Sequence, residues 1–347
     1  MSSTPKAKKE HASMLITELP AKHANEHRPF NLIDEQGWDR YISLPLTGKE
    51  AQDAVSHGQG GWEKYGLVLD KGEAGRWDEN HVNRPCVLRV GDEYFMYYSG
   101  RNNANTWGIG LAIRSNTDPI GVFTRYGTTA VIPRSSEGTY DTESARGFSV
   151  IYDREEGKFI GWYEGRTYTP THHIIRCESV DGKTWSSFTK VYDLDSNDQQ
   201  PWVTRIGSLY YCAYMDGTTK TIHLLTSNDG INWEDYGQII DVGGSGDWDE
   251  IQVNYCSIFW NMGVWYALYQ GQDASGDRRI GMATSPNGFN YTKHPFNPII
   301  ALGEIGDYDE NRVTAPTAFL VVEDGFYLWY NGYDGTTYRI LLAYMPV

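Results

Sequence analysis

Short apolar runs separated by turn residues recur along this chain in a fixed order. Trp77-Asp78-Glu79 leads to PCVLRV, then EYFMYYSGR, then GIGLAIRS, and each run is either alternating or wholly apolar. That pattern predicts turn, strand, turn, strand, turn, strand. The same order returns four more times. Tyr140-Asp141-Thr142-Glu143 precedes GFSVIYD, KFIGWYEGR and HIIRCES, and Asn197-Asp198 precedes PWVTRI, LYYCAYMDG and TIHLLTS. Trp248-Asp249-Glu250 precedes YCSIFW, VWYALYQGQ and RIGMATS, and Tyr308-Asp309-Glu310 precedes PTAFLVV, GFYLWYNGY and RILLAYM.

After the third run of four repeats comes a Ser-rich turn ending in an aromatic: SNTDPIGVF, SVDGKTW, SNDGINW and SPNGFNY. Gly with Asp or Asn supplies the turn, and the aromatic at Phe123, Trp185, Trp233 or Tyr291 begins a fourth, outer strand. The last repeat has no such segment before Val347, but residues 62–70, WEKYGLVLD, match 233–241, WEDYGQIID, closely. The N-terminal segment therefore completes the last repeat. A period of this length with several short strands signals a propeller. The expectation is an all-β fold, a five-bladed β-propeller over residues 62–347 whose last blade is closed by an N-terminal strand. Residues 1–30 are expected to form a flexible polar tail, and residues 31–61 an arm with a Gly-rich hinge at 57–61.

Composition narrows the partners. Thirty Lys and Arg against 45 Asp and Glu give a net charge of −15, a field that repels nucleic acid and anionic membrane alike. A hydrophobic share of 40% with 14% aromatics supplies ample core, and no run approaches the ~18 apolar residues of a spanning helix. The N-terminus offers only Met14-Leu15-Ile16 as an apolar core, so the expectation is a cytoplasmic protein without a signal peptide. Cys86, Cys177, Cys212 and Cys256 lie singly in apolar runs and read as reduced core thiols.

In a propeller the first strand of each blade lies nearest the axis, so residues just before it and just after the second strand face one mouth of the channel. The leading positions are Asp78, Glu79, Asp141, Glu143, Asp198, Asp249, Glu250, Asp309 and Glu310; those after the second strand are Ser99, Glu164, Asp216, Gln270 and Asn331. This predicts a strongly acidic mouth. Carboxylates beside aromatic faces suit glycoside hydrolysis, in which one carboxyl protonates the leaving oxygen and another activates water or attacks the sugar. An aromatic-Asp pair in four of five leading turns fixes a turn as readily as it carries chemistry, so residues that break the repeat are the more informative. The pool of catalytic candidates is Glu79, Asp141, Glu143, Glu164 and Asp198. Glu164 is the first choice for general acid, because enclosure by Trp162, Tyr163 and Tyr168 would raise its pKa. Arg84, Arg146 and Arg166, with Trp202 and Asn254, are the substrate-binding candidates, and the arginines suit an anionic group or neutralise nearby acids. His81 and the His172-His173 pair show no metal-ligand spacing, and no cofactor is implied.

The WDENHVNRPCVLRVGDEYFMYYSGR block and its four echoes resemble the five-bladed propeller glycosidases: family 43 arabinanases and xylosidases, family 32 fructosidases and their relatives. The resemblance implies a glycosidase cleaving the terminal sugar of an oligosaccharide or glycoside, an anionic one if the arginines face the ligand. In that group an Asp stands directly before Pro on the first inner strand, with an Asp on blade two and a Glu on blade three. The matching positions here are Arg84 before Pro85, Arg146 before Gly147 and Gln200 before Pro201. None is acidic. Two alternatives therefore stand beside hydrolysis: a glycoside phosphorylase of the family 130 kind and a non-catalytic glycan-binding propeller. The SVDGKTW and SNDGINW turns also look like sialidase Asp boxes, one residue shorter before the aromatic.

Overall fold

The computed structural model describes residues 32–33, 62–115, 120–135, 140–168, 171–195, 199–261, 263–322 and 325–346. The expected tail of residues 1–30 lies outside them, as does the arm of residues 31–61 apart from β1 (Leu32–Ile33), which pairs in parallel with the first inner strand. The described residues contain strands and no helices.

The strands fall into consecutive antiparallel sets. The first holds β3 (His81–Val90), β4 (Glu93–Arg101) and β5 (Trp107–Ser115), edged by the two-residue β6 (Thr124–Arg125) and β7 (Ile132–Pro133). The second runs β8 (Ser144–Asp153), β9 (Lys158–Arg166), β10 (His172–Ser179) and β11 (Ser186–Leu194). The third runs β12 (Gln199–Ile206), β13 (Leu209–Asp216), β14 (Thr221–Ser227) and β15 (Glu234–Ile240). The fourth comprises β16 (Gln252–Asn261), β17 (Val264–Gln272), β18 (Arg278–Ser285) and β19 (Thr292–Lys293). The fifth is β20 (Arg312–Val322), β21 (Gly325–Tyr333) and β22 (Tyr338–Pro346), and its outer partner is β2 (Glu63–Leu69) from the other end of the chain.

The first strands adjoin one another: β3 touches β8, β8 touches β12, β12 touches β16, β16 touches β20, and β20 touches β3. They are apolar along most of their length because they lie against strands on both sides. Aromatics fill the wedges between sets. Tyr97 meets Phe148 edge to face at 5.3 Å and Trp185 at 5.8 Å, and Tyr211 meets Trp265 at 4.7 Å. The Ser-rich turns brace the same wedges. In SVDGKTW the Asp181 carboxylate accepts from the backbone N–H groups of Lys183 and Thr184, and the Gly182 carbonyl accepts from Tyr97 of the neighbouring set at 2.6 Å. Gly182 has a φ of +68°, and a Cβ there would sit 2.9 Å from the Tyr97 hydroxyl, so the turn requires glycine. All four cysteines are buried and unbridged. No helix among the described residues is long and apolar enough to cross a membrane.

Candidate functional site

Each inner strand breaks its register at one place. The breaks fall between Asn83 and Cys86, Arg146 and Ser149, Gln199 and Trp202, Asn254 and Ser257, and Thr314 and Ala318. At each break one residue has a left-handed backbone: Arg84 (φ 54°), Gly147 (φ 65°), Gln200 (φ 65°), Tyr255 (φ 48°) and Ala315 (φ 50°). A bulge of this kind re-aims a side chain out of the pleat, and a non-glycine residue held there costs on the order of 1–3 kcal/mol. The alignment of Arg146 with Arg84 is thereby corrected. Gly147 is the counterpart of Arg84, and Arg146 stands one residue earlier, with Asn83 and Asn254.

Opposite the breaks stand Ser99, Glu164, Gln270 and Asn331, paired in the ladder with Asn83, Arg146, Asn254 and Thr314. In the third set that place belongs to Met215, opposite Gln199, and not to Asp216, which accepts from the backbone of Thr218 and Thr219 in its own turn. These side chains tie neighbouring sets together. Ser99 accepts from the Gly147 N–H at 2.8 Å, Glu164 from the Gln200 N–H at 3.1 Å, and Asn331 from the Arg84 N–H at 2.8 Å. Gln200 extends the chain by accepting from the Tyr255 N–H at 3.1 Å.

A buried ionic cluster forms where these elements meet. Arg146 donates from Nε (3.0 Å) and Nη2 (2.6 Å) to Glu164 Oε1, while Arg84 Nη1 donates to Oε2 at 3.1 Å. His172 Nδ1 lies 3.8 Å from Oε1. Arg84 reaches across from the first set to the fourth, where Nη2 meets the Tyr255 hydroxyl at 3.3 Å and the guanidinium lies 5.2 Å from the ring centre. Gly147 makes room for it, since a Cβ there would stand 3.2 Å from Arg84 Nη1. Burial pushes the Glu164 carboxyl up, but the Arg146 and Arg84 guanidiniums outweigh burial and hold it well below the usual carboxylate range. The expectation of a raised pKa is thus reversed. Trp162 and Tyr163 are buried, but Tyr168 is 74% exposed and encloses nothing. An ionised carboxylate clamped by two guanidiniums is not a proton donor, so the general-acid assignment of Glu164 is withdrawn.

The acids of the aromatic-Asp turns do not converge on this cluster. Asp78, Asp141, Asp249 and Asp309 are buried, and each accepts from a tyrosine hydroxyl of its own set: Tyr98, Tyr163, Tyr269 and Tyr330. Asp78, Asp249 and Asp309 also meet a cation from the outer strands, Arg125 at 2.6 Å, Lys293 at 2.7 Å and Lys64 at 2.8 Å in turn. Glu79, Glu250 and Glu310 repeat one another too, accepting from the N–H groups of Gly75, Gly246 and Gly306. The Gly75 and Asn103 N–H groups hold the Glu79 carboxyl below its ordinary value. Asp141 and Glu79 are therefore turn-fixing acids, and the four aromatic-Asp pairs with Glu79, Glu250 and Glu310 do not form the strongly acidic mouth. Glu143 is half-buried with Oε2 3.8 Å from Arg166 Nε, and Arg166 acts electrostatically on Arg146. Asp198 lies outside the described residues. Trp202 is buried in the core between sets, and Asn254 is buried with an Oδ1 that meets no hydrogen-bond partner among the described residues. His173 Nδ1 pairs with Asp193 at 2.6 Å, and His81, whose pKa burial pushes down to about 4, accepts from the Tyr338 N–H.

Tyr255 escaped the reading of the sequence, and Gln200 figured there only as a missing acid. The signal was present in the five starts RPCV, GFSV, QPWV, YCSI and APTA, whose first residues are the five left-handed positions.

No protein-family model matches the chain. The uncharacterized protein Rv1502 of Mycobacterium tuberculosis is 30% identical over 240 residues, which cover 63% of this chain and 76% of that protein. An "A type blood N-acetyl-alpha-D-galactosamine deacetylase" of Flavonifractor plautii is 29% identical over 153 residues, 35% of this chain and 20% of that protein. Among solved structures, a thermostable family-43 glycoside hydrolase superposes with a TM-score of 0.60 at 14% identity, covering 78% of this chain and 91% of that one. The fold is the β-propeller type found in such hydrolases.

Proposed function

From the premise that this chain belongs to the family of the Mycobacterium tuberculosis protein Rv1502 and has a glycoside hydrolase propeller fold, we propose that it is a glycosidase cleaving a terminal sugar from an oligosaccharide. The five antiparallel sets are its five blades, and β2 on β22 closes the ring. One observation carries the reading: every inner strand bulges at the same place, and side chains at the bulges of the first, second and fourth sets gather in a polar cluster against the Tyr255 and Trp107 rings. Carbohydrate ligands match such surfaces, since hydroxyls take polar partners and the ring faces stack. The deacetylase relative, itself named for a sugar substrate, and the family-43 neighbour support a carbohydrate ligand.

Glu164 holds the arginines in place, so acid and base are drawn from Glu143 and Asp198. Product analysis on an oligosaccharide panel tests this: Glu143→Gln or Asp198→Asn should lower turnover at least a hundredfold. Binding of a panel member without cleavage after long incubation would leave a glycan-binding propeller instead. The convergence of two buried guanidiniums also favours a second reading, in which they bind phosphate and the chain is a phosphorylase. Release of sugar 1-phosphate in phosphate buffer, with no cleavage in its absence, selects that reading.

A further inference from the structure

We propose that the Arg84–Glu164–Arg146 cluster is the recognition site for an oxyanion carried by the sugar, a carboxylate being the simplest case. The inference rests on the carbohydrate-directed reading above and names its substrate class.

The local charge is the first support. Arg84, Arg146 and Arg166 stand against Glu164 and Glu143, an excess of one positive charge inside a protein whose net charge is −15. The second is unused donor capacity. Arg146 bonds Glu164 through Nε and Nη2, which leaves Nη1 off the carboxylate, and Arg84 Nε is buried with no partner among the described residues. The third is preorganisation. Arg84 lies over the Tyr255 ring and Arg146 has the Trp107 ring 5.9 Å away, so both forks are held before a ligand arrives. Glu164 thus acts as a positioning residue.

Beside this charged end lies a neutral one. Gln270 is fully buried, and its Oε1 and Nε2, with Asn254 Oδ1, meet no partner among the described residues. Its counterparts Ser99, Glu164 and Asn331 all accept from the next set. A sugar hydroxyl both donates and accepts, which suits an amide beside a carbonyl oxygen. The geometry assigns the oxyanion to the arginines and ring hydroxyls to Asn254 and Gln270.

Calorimetric titration of the full chain with glucuronate, galacturonate, glucose, galactose and inorganic phosphate tests this. A uronate should bind at least tenfold more tightly than its neutral parent, with one phosphate competing for the same site. Arg146→Met should cost the uronate at least tenfold more affinity than it costs the neutral parent, whereas equal losses for both would show that the arginine only holds the cluster together; the phosphate competition is read on the unaltered protein and survives a variant that fails to fold. Equal affinity for uronate and parent overturns the oxyanion assignment while leaving the carbohydrate reading intact. Phosphate binding with no sugar bound supports the anion site and removes the carbohydrate reading. No heat from any uronate or from phosphate overturns the inference.

Discussion

Glu164 keeps its charge in a place where burial alone would neutralise it. Both oxygens are taken up by guanidiniums, so the carboxylate is worth more to the fold ionised than protonated. Removing one partner of a buried ion pair costs about 3–5 kcal/mol, because the other charge is stranded. Glu164→Gln should therefore destabilise the protein by that order at pH 7. Its folded-state pKa lies below the unfolded value of about 4.3, so its contribution is complete above that value and is lost as pH falls toward the folded pKa. Urea unfolding at pH 7 and at pH 4 should show the gap between wild type and variant narrowing in acid. A gap that widens would show that Glu164 is protonated in the native protein. The sequence marked Glu164 as the break in its repeat, but its partners were not readable. Arg146 faces it across the ladder and Arg84 arrives from a different set, an encounter set by the one-residue bulge at Arg84.

Strands are the part most open to sequence reading, since each inner and middle run is an apolar segment between turn residues. Outer strands were less so. The first set divides its edge into β6 and β7 around Gly127 (φ 74°), and β19 has only two residues. Edge strands are held by fewer neighbours, so such interruptions are tolerated. The leading turn shows why a repeated acid is a weak sign of catalysis. Asp249 is buried and joins the Tyr269 hydroxyl at 3.2 Å to the Lys293 ammonium at 2.7 Å, pinning turn, second strand and outer strand together. Lys293 is 30% exposed, and solvent recovers part of the loss, so Lys293→Met should cost about 1–3 kcal/mol. Thermal unfolding checks the size. The carbohydrate affinity should stay unchanged, and a variant that instead loses affinity with normal stability would make Asp249 a ligand-binding acid.

At the scale of the molecule, the match between residues 62–70 and 233–241 was enough to foresee that the two ends of the chain meet in one sheet. Which side chains then met between sets was not foreseeable, because that depends on how neighbouring sets abut. The pairing has a consequence for stability. Val68 and Leu69 are buried in one cluster with Tyr327, Trp329 and Leu342 of the last set and Val82 of the first. The Phe123 N–H of the first set donates to the Val68 carbonyl at 2.9 Å, so β2 joins both ends of the proposed ring. Burying two such side chains contributes about 3–6 kcal/mol, and whole domains are stable by only about 5–15 kcal/mol. Deleting residues 1–72 also strips Lys64 from buried Asp309 and leaves β22 with an unpaired edge. The truncated chain should therefore melt far lower or aggregate, and a synthetic peptide of residues 60–72 should restore part of the loss by adding the strand back. A truncated chain with an unchanged melting temperature would mean that β2 is an appendage and that the ring holds without it.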